Sequence, residues 1–81
     1  MRLPRDISGD ELVKVLSKLG YVKTRQTGSH MRLTTDQRGQ HHITVPRHNP
    51  LKIGTLGGIV QDVARHFAMT REQLVEKIFG Q

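Results

Sequence analysis

Residues 21–46 read YVKTRQTGSHMRLTTDQRGQHHITVP, and the fold follows from how that stretch alternates. Tyr21-Val22-Lys23-Thr24-Arg25, Ser29-His30-Met31-Arg32-Leu33-Thr34 and His42-Ile43-Thr44-Val45 read as alternating segments. That is the period of half-buried strands. Thr27-Gly28 separates the first two, and Asp36-Gln37-Arg38-Gly39 turns between the second and third. Connections this short join antiparallel neighbours. Pro46 ends the third strand, because proline has no N–H to give to a ladder.

Helical signals flank the strands. Ser8-Gly9-Asp10-Glu11 reads as a capping box, with Ile7 and Leu12 as a hydrophobic staple. Leu12, Val15, Leu16 and Leu19 form one stripe and Gly20 supplies the stop, so a helix is predicted over residues 8–19. Residues 47–54 read as a connecting loop. A second helix is predicted from about Thr55, with Leu56, Ile59, Val60, Val63 and Phe67 on its stripe. Gly57 and Gly58 weaken its first turns by roughly 1 kcal/mol each relative to alanine. Thr70 and Gln73 form a second capping box, opening a third helix with Leu74, Val75 and Ile78 on its apolar face. The order α-β-β-β-α-α makes an α+β fold.

Helices cover only one face of a three-stranded sheet. Parity sends Val22, Met31, Leu33, Ile43 and Val45 inward. Lys23, Arg25, His30, Arg32, Thr34, His42 and Thr44 then form an open, cationic face. A bulge in the second strand would reverse this assignment.

Composition bounds the rest. The chain has 81 residues, enough for one small domain spanning residues 1–81. It has no cysteine, which removes disulfides, thiolate nucleophiles and Cys-ligated metal centres. Neither a secretory signal nor a membrane-spanning run is visible, so the expected compartment is the cytoplasm, with no membrane partner. The formal charge is +6, and the segment from Tyr21 to Thr55 carries +5 of it together with four of the five histidines. Such a segment fits a polyanionic partner or a solvated basic surface.

His30 stands out among the candidate residues. It begins a strand after a glycine turn, in Arg25-Gln26-Thr27-Gly28-Ser29-His30, with Arg25 and Arg32 in the same patch. Gly28 lets another backbone approach closely. An imidazole exchanges protons near neutral pH. Guanidinium groups bind phosphate and stabilise charge growing on phosphorus. Those are the parts that metal-free RNA cleavage needs. A strand-end histidine bonded to a neighbour is the plainer reading.

The other histidines carry less. His41 and His42 diverge and cannot chelate one ion together, while His48 lines the edge of the patch. His66 reads as a favourable charge near a helix C-terminus. No metal site and no cofactor are expected: Asp36 is the one acid in the basic segment, and no helical His pair occurs. Phe67 and Phe79 belong to helical stripes, so Tyr21 is the one aromatic left for base stacking.

Four motifs then occur in order: Gly20-Tyr21 leading into Arg25-Gln26-x-Gly28-Ser29-His30, then Val45-Pro46-Arg47-His48, then Leu51-Lys52-x-Gly54-Thr55-Leu56, then Thr70-Arg71-Glu72. On these motifs the chain resembles, from about Ile7 to Phe79, the HicA (YcfA-like) toxins, the RNA-cleaving halves of HicAB toxin–antitoxin pairs. The resemblance implies a double-stranded-RNA-binding-domain-like fold with a short extra C-terminal helix. It implies a ribosome-independent mRNA endoribonuclease whose essential histidine maps onto His30. It also implies a HicB-type antitoxin that covers the site. One departure is Gly57-Gly58, where members often carry a basic residue after Gly-Thr-Leu.

On this reading His30 is the general acid or base, and Arg25 and Arg32 hold phosphate. Lys23, Arg47 and Lys52 guide the backbone, while Gln26 and Ser29 position the scissile region beside Gly28 and His48. The free toxin is expected to be a monomer that enters a larger assembly with its antitoxin. A non-catalytic double-stranded RNA-binding module is the alternative, sharing strand order and charge. A basic face that docks an acidic partner is compatible with the first reading.

Overall fold

The computed structural model describes residues 3–80, in which one antiparallel sheet of order β1-β2-β3 is covered on one face by helices. The elements are α1 (Gly9–Leu16), β1 (Val22–Thr27), β2 (His30–Thr35), β3 (His41–Pro46), α2 (Ile53–His66) and α3 (Arg71–Phe79). This is the predicted α+β architecture with its extra C-terminal helix. No helix among the described residues is long and apolar enough to cross a membrane.

Local chemistry sets the helix ends. The Ser8 hydroxyl accepts from the Glu11 N–H at 3.1 Å, and the Ser8 N–H donates to the Glu11 carboxylate at 2.9 Å. These bonds, the backbone one foremost, hold the Glu11 carboxyl below its usual range. The α-helix stops at Leu16, earlier than expected, and Ser17–Leu19 continue as a 3-10 turn. The Ser17 hydroxyl donates back to the Lys14 carbonyl at 2.6 Å, a bond that competes with regular helix. Gly20 then takes φ 80°, the left-handed stop.

α2 begins at Ile53, two residues before the expected Thr55, so Ile53 and Gly54 belong to the helix rather than the loop. Burial of Leu56, Ile59, Val60 and Val63 outweighs the glycines' weak propensity. α3 starts from the predicted Thr70–Gln73 capping box and buries Leu74, Val75 and Ile78. Phe67 is buried, while Phe79 packs half-buried at the rim of the core.

Met31, Leu33, Ile43 and Val45 point into the helices as expected, but Val22 does not. It is 60% exposed and lies across from Thr34, on the open face. Tyr21, one residue earlier, is buried in its place and anchors the start of β1. β1 itself is exposed along its whole length as an edge strand. The Lys23 and Gln26 ammonium and amide groups, 3.0 Å apart, help keep that edge polar.

Thr35 ties the sheet to the first helix. Its hydroxyl donates to the Leu19 carbonyl at 2.7 Å and accepts from the Gln37 N–H at 3.1 Å. With 1% of its surface exposed, it is a buried polar residue whose bonding is complete.

Candidate nucleic-acid interface

Cross-strand partners share a face, so the register orders the open side into three rows. The first is Thr27, His30 and Pro46; the second Arg25, Arg32 and Thr44; the third Val22, Thr34 and His42. Successive rows lie two residues apart, about 7 Å along the strands. No side chain in these rows is acidic.

A bulge makes the second row possible. The β1–β2 register slips between Lys23 and Arg25, leaving Thr24 as the extra residue. With Val22 outward, strict alternation would turn Arg25 toward the helices. The bulge turns it back, so Arg25 faces outward opposite Arg32. The irregularity sits in β1, and the expected polarity of β2 holds.

The same register keeps two predicted site residues off the open face. Lys23 lies across from Leu33 and Gln26 across from Met31, so both belong to the helix-side face of β1, beyond the reach of the helices. This corrects the parity assignment of Lys23 to the open face. Gln26 also donates to the Gly28 carbonyl at 3.1 Å, bracing the β1–β2 turn.

His30 stands at that turn, exposed and without a side-chain hydrogen bond to any described residue. The plainer reading of a strand-end histidine bonded to a neighbour is therefore not what is found. Gly28 has φ 58° and Ser29 does not share the positive φ, as in a turn of type II′. Beyond its chain neighbours, nothing lies within 4 Å of where a Gly28 Cβ would sit, so the turn beside His30 is open at Gly28. The Arg47 N–H donates to the Ser29 carbonyl at 2.6 Å. That bond joins the Val45-Pro46-Arg47-His48 motif to the Gly28-Ser29-His30 turn.

The remaining predicted residues frame this end. Arg47 donates from Nε to Asp10 at 3.2 Å, with both side chains exposed, so its charge is partly matched at the start of α1. The His48 carbonyl accepts from the Gly9 N–H at 2.9 Å and its residue is exposed. Lys52 is the exposed N-cap of α2 and makes no side-chain cap bond. Arg25 and Arg32 have no carboxylate partner among the described residues.

Sequence reasoning missed a second polar cluster, at the far end of the sheet and on the helix side. The Tyr21 hydroxyl donates to His41 Nδ1 at 2.6 Å, and His41 Nε2 donates to Asp62 at 3.3 Å. His66 stacks on His41 at 4.4 Å with the rings 9° from parallel, and its Nε2 donates to the Gln37 carbonyl at 2.9 Å. His66 thus joins α2 to the β2–β3 turn, beyond its expected place near a helix C-terminus. Tyr21 is buried here, so it offers no stacking surface for a base.

Burial, reinforced by the Asp62 carboxylate, pushes the Tyr21 phenol well above its ordinary range. The folded state therefore holds the phenolic proton more tightly than the unfolded state. Stability from this group is complete below the ordinary phenol pKa of about 10 and drains as pH climbs through the raised folded value. Tyr21→Phe is expected to cost about 1 kcal/mol at neutral pH, through the lost hydrogen bond. It should also flatten the alkaline loss of stability seen in urea titrations. An equal alkaline loss in both proteins would contradict this role of the phenol.

Comparison with known proteins bears on the whole arrangement. None of the curated proteins or solved structures compared matches the chain. A family model described as the HicA toxin of bacterial toxin–antitoxin systems matches residues 9–64, from the start of α1 into the last turn of α2. The match covers the Gly28-Ser29-His30 turn, the Val45-Pro46-Arg47-His48 strand end and both arginines of the open face. By that match the chain belongs to the HicA toxin family, whose members act as the toxin of a pair with an antitoxin.

Proposed function

We propose that this protein is an mRNA endoribonuclease that acts at its open sheet face and is silenced by a HicB-type antitoxin covering that face. One observation carries the reading. Arg25 and Arg32 stand directly across from each other, with no carboxylate on their face, one row from an exposed imidazole. Like charges directly opposite destabilise a sheet. A bound phosphate removes that cost, because guanidinium groups match its oxygens in planar, forked geometry.

The chemistry needs no further groups than these and water. His30 takes the proton from a ribose 2′-hydroxyl, and the 2′-oxygen attacks the adjacent phosphorus. Arg25 and Arg32 hold the phosphoryl oxygens as negative charge builds on them. The bond from phosphorus to the 5′-oxygen breaks, and that oxygen leaves with a proton from solvent. The products are a 2′,3′-cyclic phosphate and a 5′-hydroxyl. Lys52 and Arg47, both exposed, attract the flanking backbone. An acidic antitoxin surface would be steered to the same charge.

The test is end-labelled mRNA incubated with protein in EDTA. Fragments ending in 2′,3′-cyclic phosphate are expected. A mobility shift without fragments would instead favour a binding module and overturn the nuclease reading. Arg25→Gln and Arg32→Gln should each weaken RNA binding and lower the salt slope by about 1. Each should leave the urea midpoint unchanged or raise stability by about 0.2–1 kcal/mol, since the facing charges are relieved. Lower stability together with unaltered RNA affinity would contradict the phosphate role.

A further inference from the structure

The third row of the open face holds a relay that the proposed cleavage does not use. The Thr24 hydroxyl donates to the Arg32 carbonyl at 3.3 Å. It also lies 3.1 Å from the Thr34 hydroxyl, which lies 2.8 Å from His42 Nδ1. A carbonyl only accepts, and a hydroxyl has a single proton to give. All three contacts are hydrogen bonds at once in one direction only: Thr24 gives its proton to Arg32 and accepts from Thr34. Thr34 gives its proton to Thr24, so it accepts from His42. The Nδ1 of His42 therefore carries the proton, and in the neutral ring Nε2 is a bare acceptor. That nitrogen has no partner among the described residues, and the residue is exposed.

We propose that His42 is a ribose-reading residue, whose Nε2 accepts a hydrogen bond from a 2′-hydroxyl of bound RNA. This rests on the RNA-cleavage reading of the same face and extends it. His42 lies two rows from His30, about 14 Å along the strands, so it addresses a nucleotide other than the one cleaved. Arg25 and Arg32 lie between, where they hold the intervening backbone. An acceptor beside a phosphate clamp suits a ribose hydroxyl, the one backbone donor that RNA has and DNA lacks. A second phosphate would need an N–H at that nitrogen. Thr34 and Thr24 are positioning residues: they fix the ring's tautomer and its angle to the sheet. The Thr24 bulge thus serves both rows, turning Arg25 outward and placing a hydroxyl beneath Thr34.

The experiment compares binding of fluorescein-labelled single-stranded RNA and DNA of one sequence, by anisotropy, in an H30A background. H30A is expected to prefer RNA. Adding His42→Ala should lower the RNA-to-DNA affinity ratio about two- to tenfold, the worth of one hydrogen bond. Thr34→Val, which keeps the strand's shape and removes the relay, should lower the same ratio in the same direction. A loss of folding would not change that ratio in favour of DNA. Equal weakening of RNA and DNA binding by His42→Ala would make the contact a phosphate one and overturn the proposal. An unchanged ratio would overturn it too, and with wild-type protein still cutting RNA, the cleavage reading would survive. If H30A binds neither nucleic acid and the wild-type protein leaves RNA uncut, both readings fall together.

Discussion

His30→Ala should lower RNA cleavage by about 10²- to 10⁴-fold while leaving the fold intact, the range expected when a positioned general acid or base is removed. The two halves of that expectation have separate causes. The imidazole is exposed and makes no side-chain hydrogen bond among the described residues, so its loss should change stability by less than about 0.5 kcal/mol. Its neighbours Thr27 and Pro46 keep their strand pairing, because that pairing runs through backbone. The rate, by contrast, is expected to depend on the imidazole, the one group in the first row suited to general acid or base work. His30→Gln sharpens the test, since an amide can still donate and accept hydrogen bonds but cannot carry a proton away. It should be nearly as inactive as alanine. RNA affinity should change little in either variant, because Arg25 and Arg32 remain. Cleavage at the wild-type rate by either protein, at an unaltered urea midpoint, would remove His30 from the chemistry.

Much of this site was legible because strand alternation records burial. Met31 and Leu33 are buried, and that alone sends His30 and Arg32 outward. The same rule misplaced Val22 and Lys23. A bulge leaves no mark in a pattern of polar and apolar residues, and an edge strand has little burial with which to write one. β1 has both, so Lys23 and Gln26 turned out to share the helix-side face while Arg25 reached the open one only through Thr24. The Tyr21–His41–Asp62–His66 cluster was illegible for a different reason. Its members come from β3, α2 and the residue before β1, and no local spacing relates them. The one signal was Tyr21 itself. A tyrosine directly after a left-handed glycine stop was already placed to turn back under the sheet. Helix starts fared better, because capping boxes are local chemistry; the early start of α2 shows the limit, where packing of Leu56 and Ile59 outweighed three glycines.

Gly9→Ala should destabilise the protein by about 1–3 kcal/mol, the usual cost of forcing an extra carbon into a filled space. Helix propensity alone says the opposite, since alanine in place of glycine within a helix is worth about 1 kcal/mol. The geometry decides between them. A Cβ on Gly9 would run into the Pro46 carbonyl oxygen and lie 3.1 Å from Arg47 Cα. Both are backbone atoms, with no rotamer to swing aside. They are also held from the other side, because the Arg47 N–H is bonded to Ser29 and the Gly9 N–H to the His48 carbonyl. Relief must therefore lift α1 from the end of β3 or pull residues 46–48 away from the Gly28-Ser29 turn. The second route disturbs the strand beside His30, so cleavage should fall further than the folded fraction does. Gly58→Ala provides the contrast: it sits in α2 with nothing within 4 Å of its added carbon, so propensity should act unopposed and raise stability by about 1 kcal/mol. If urea unfolding instead found Gly9→Ala as stable as Gly58→Ala, the close contact between α1 and the Pro46–His48 segment could not be what holds the histidine turn in place.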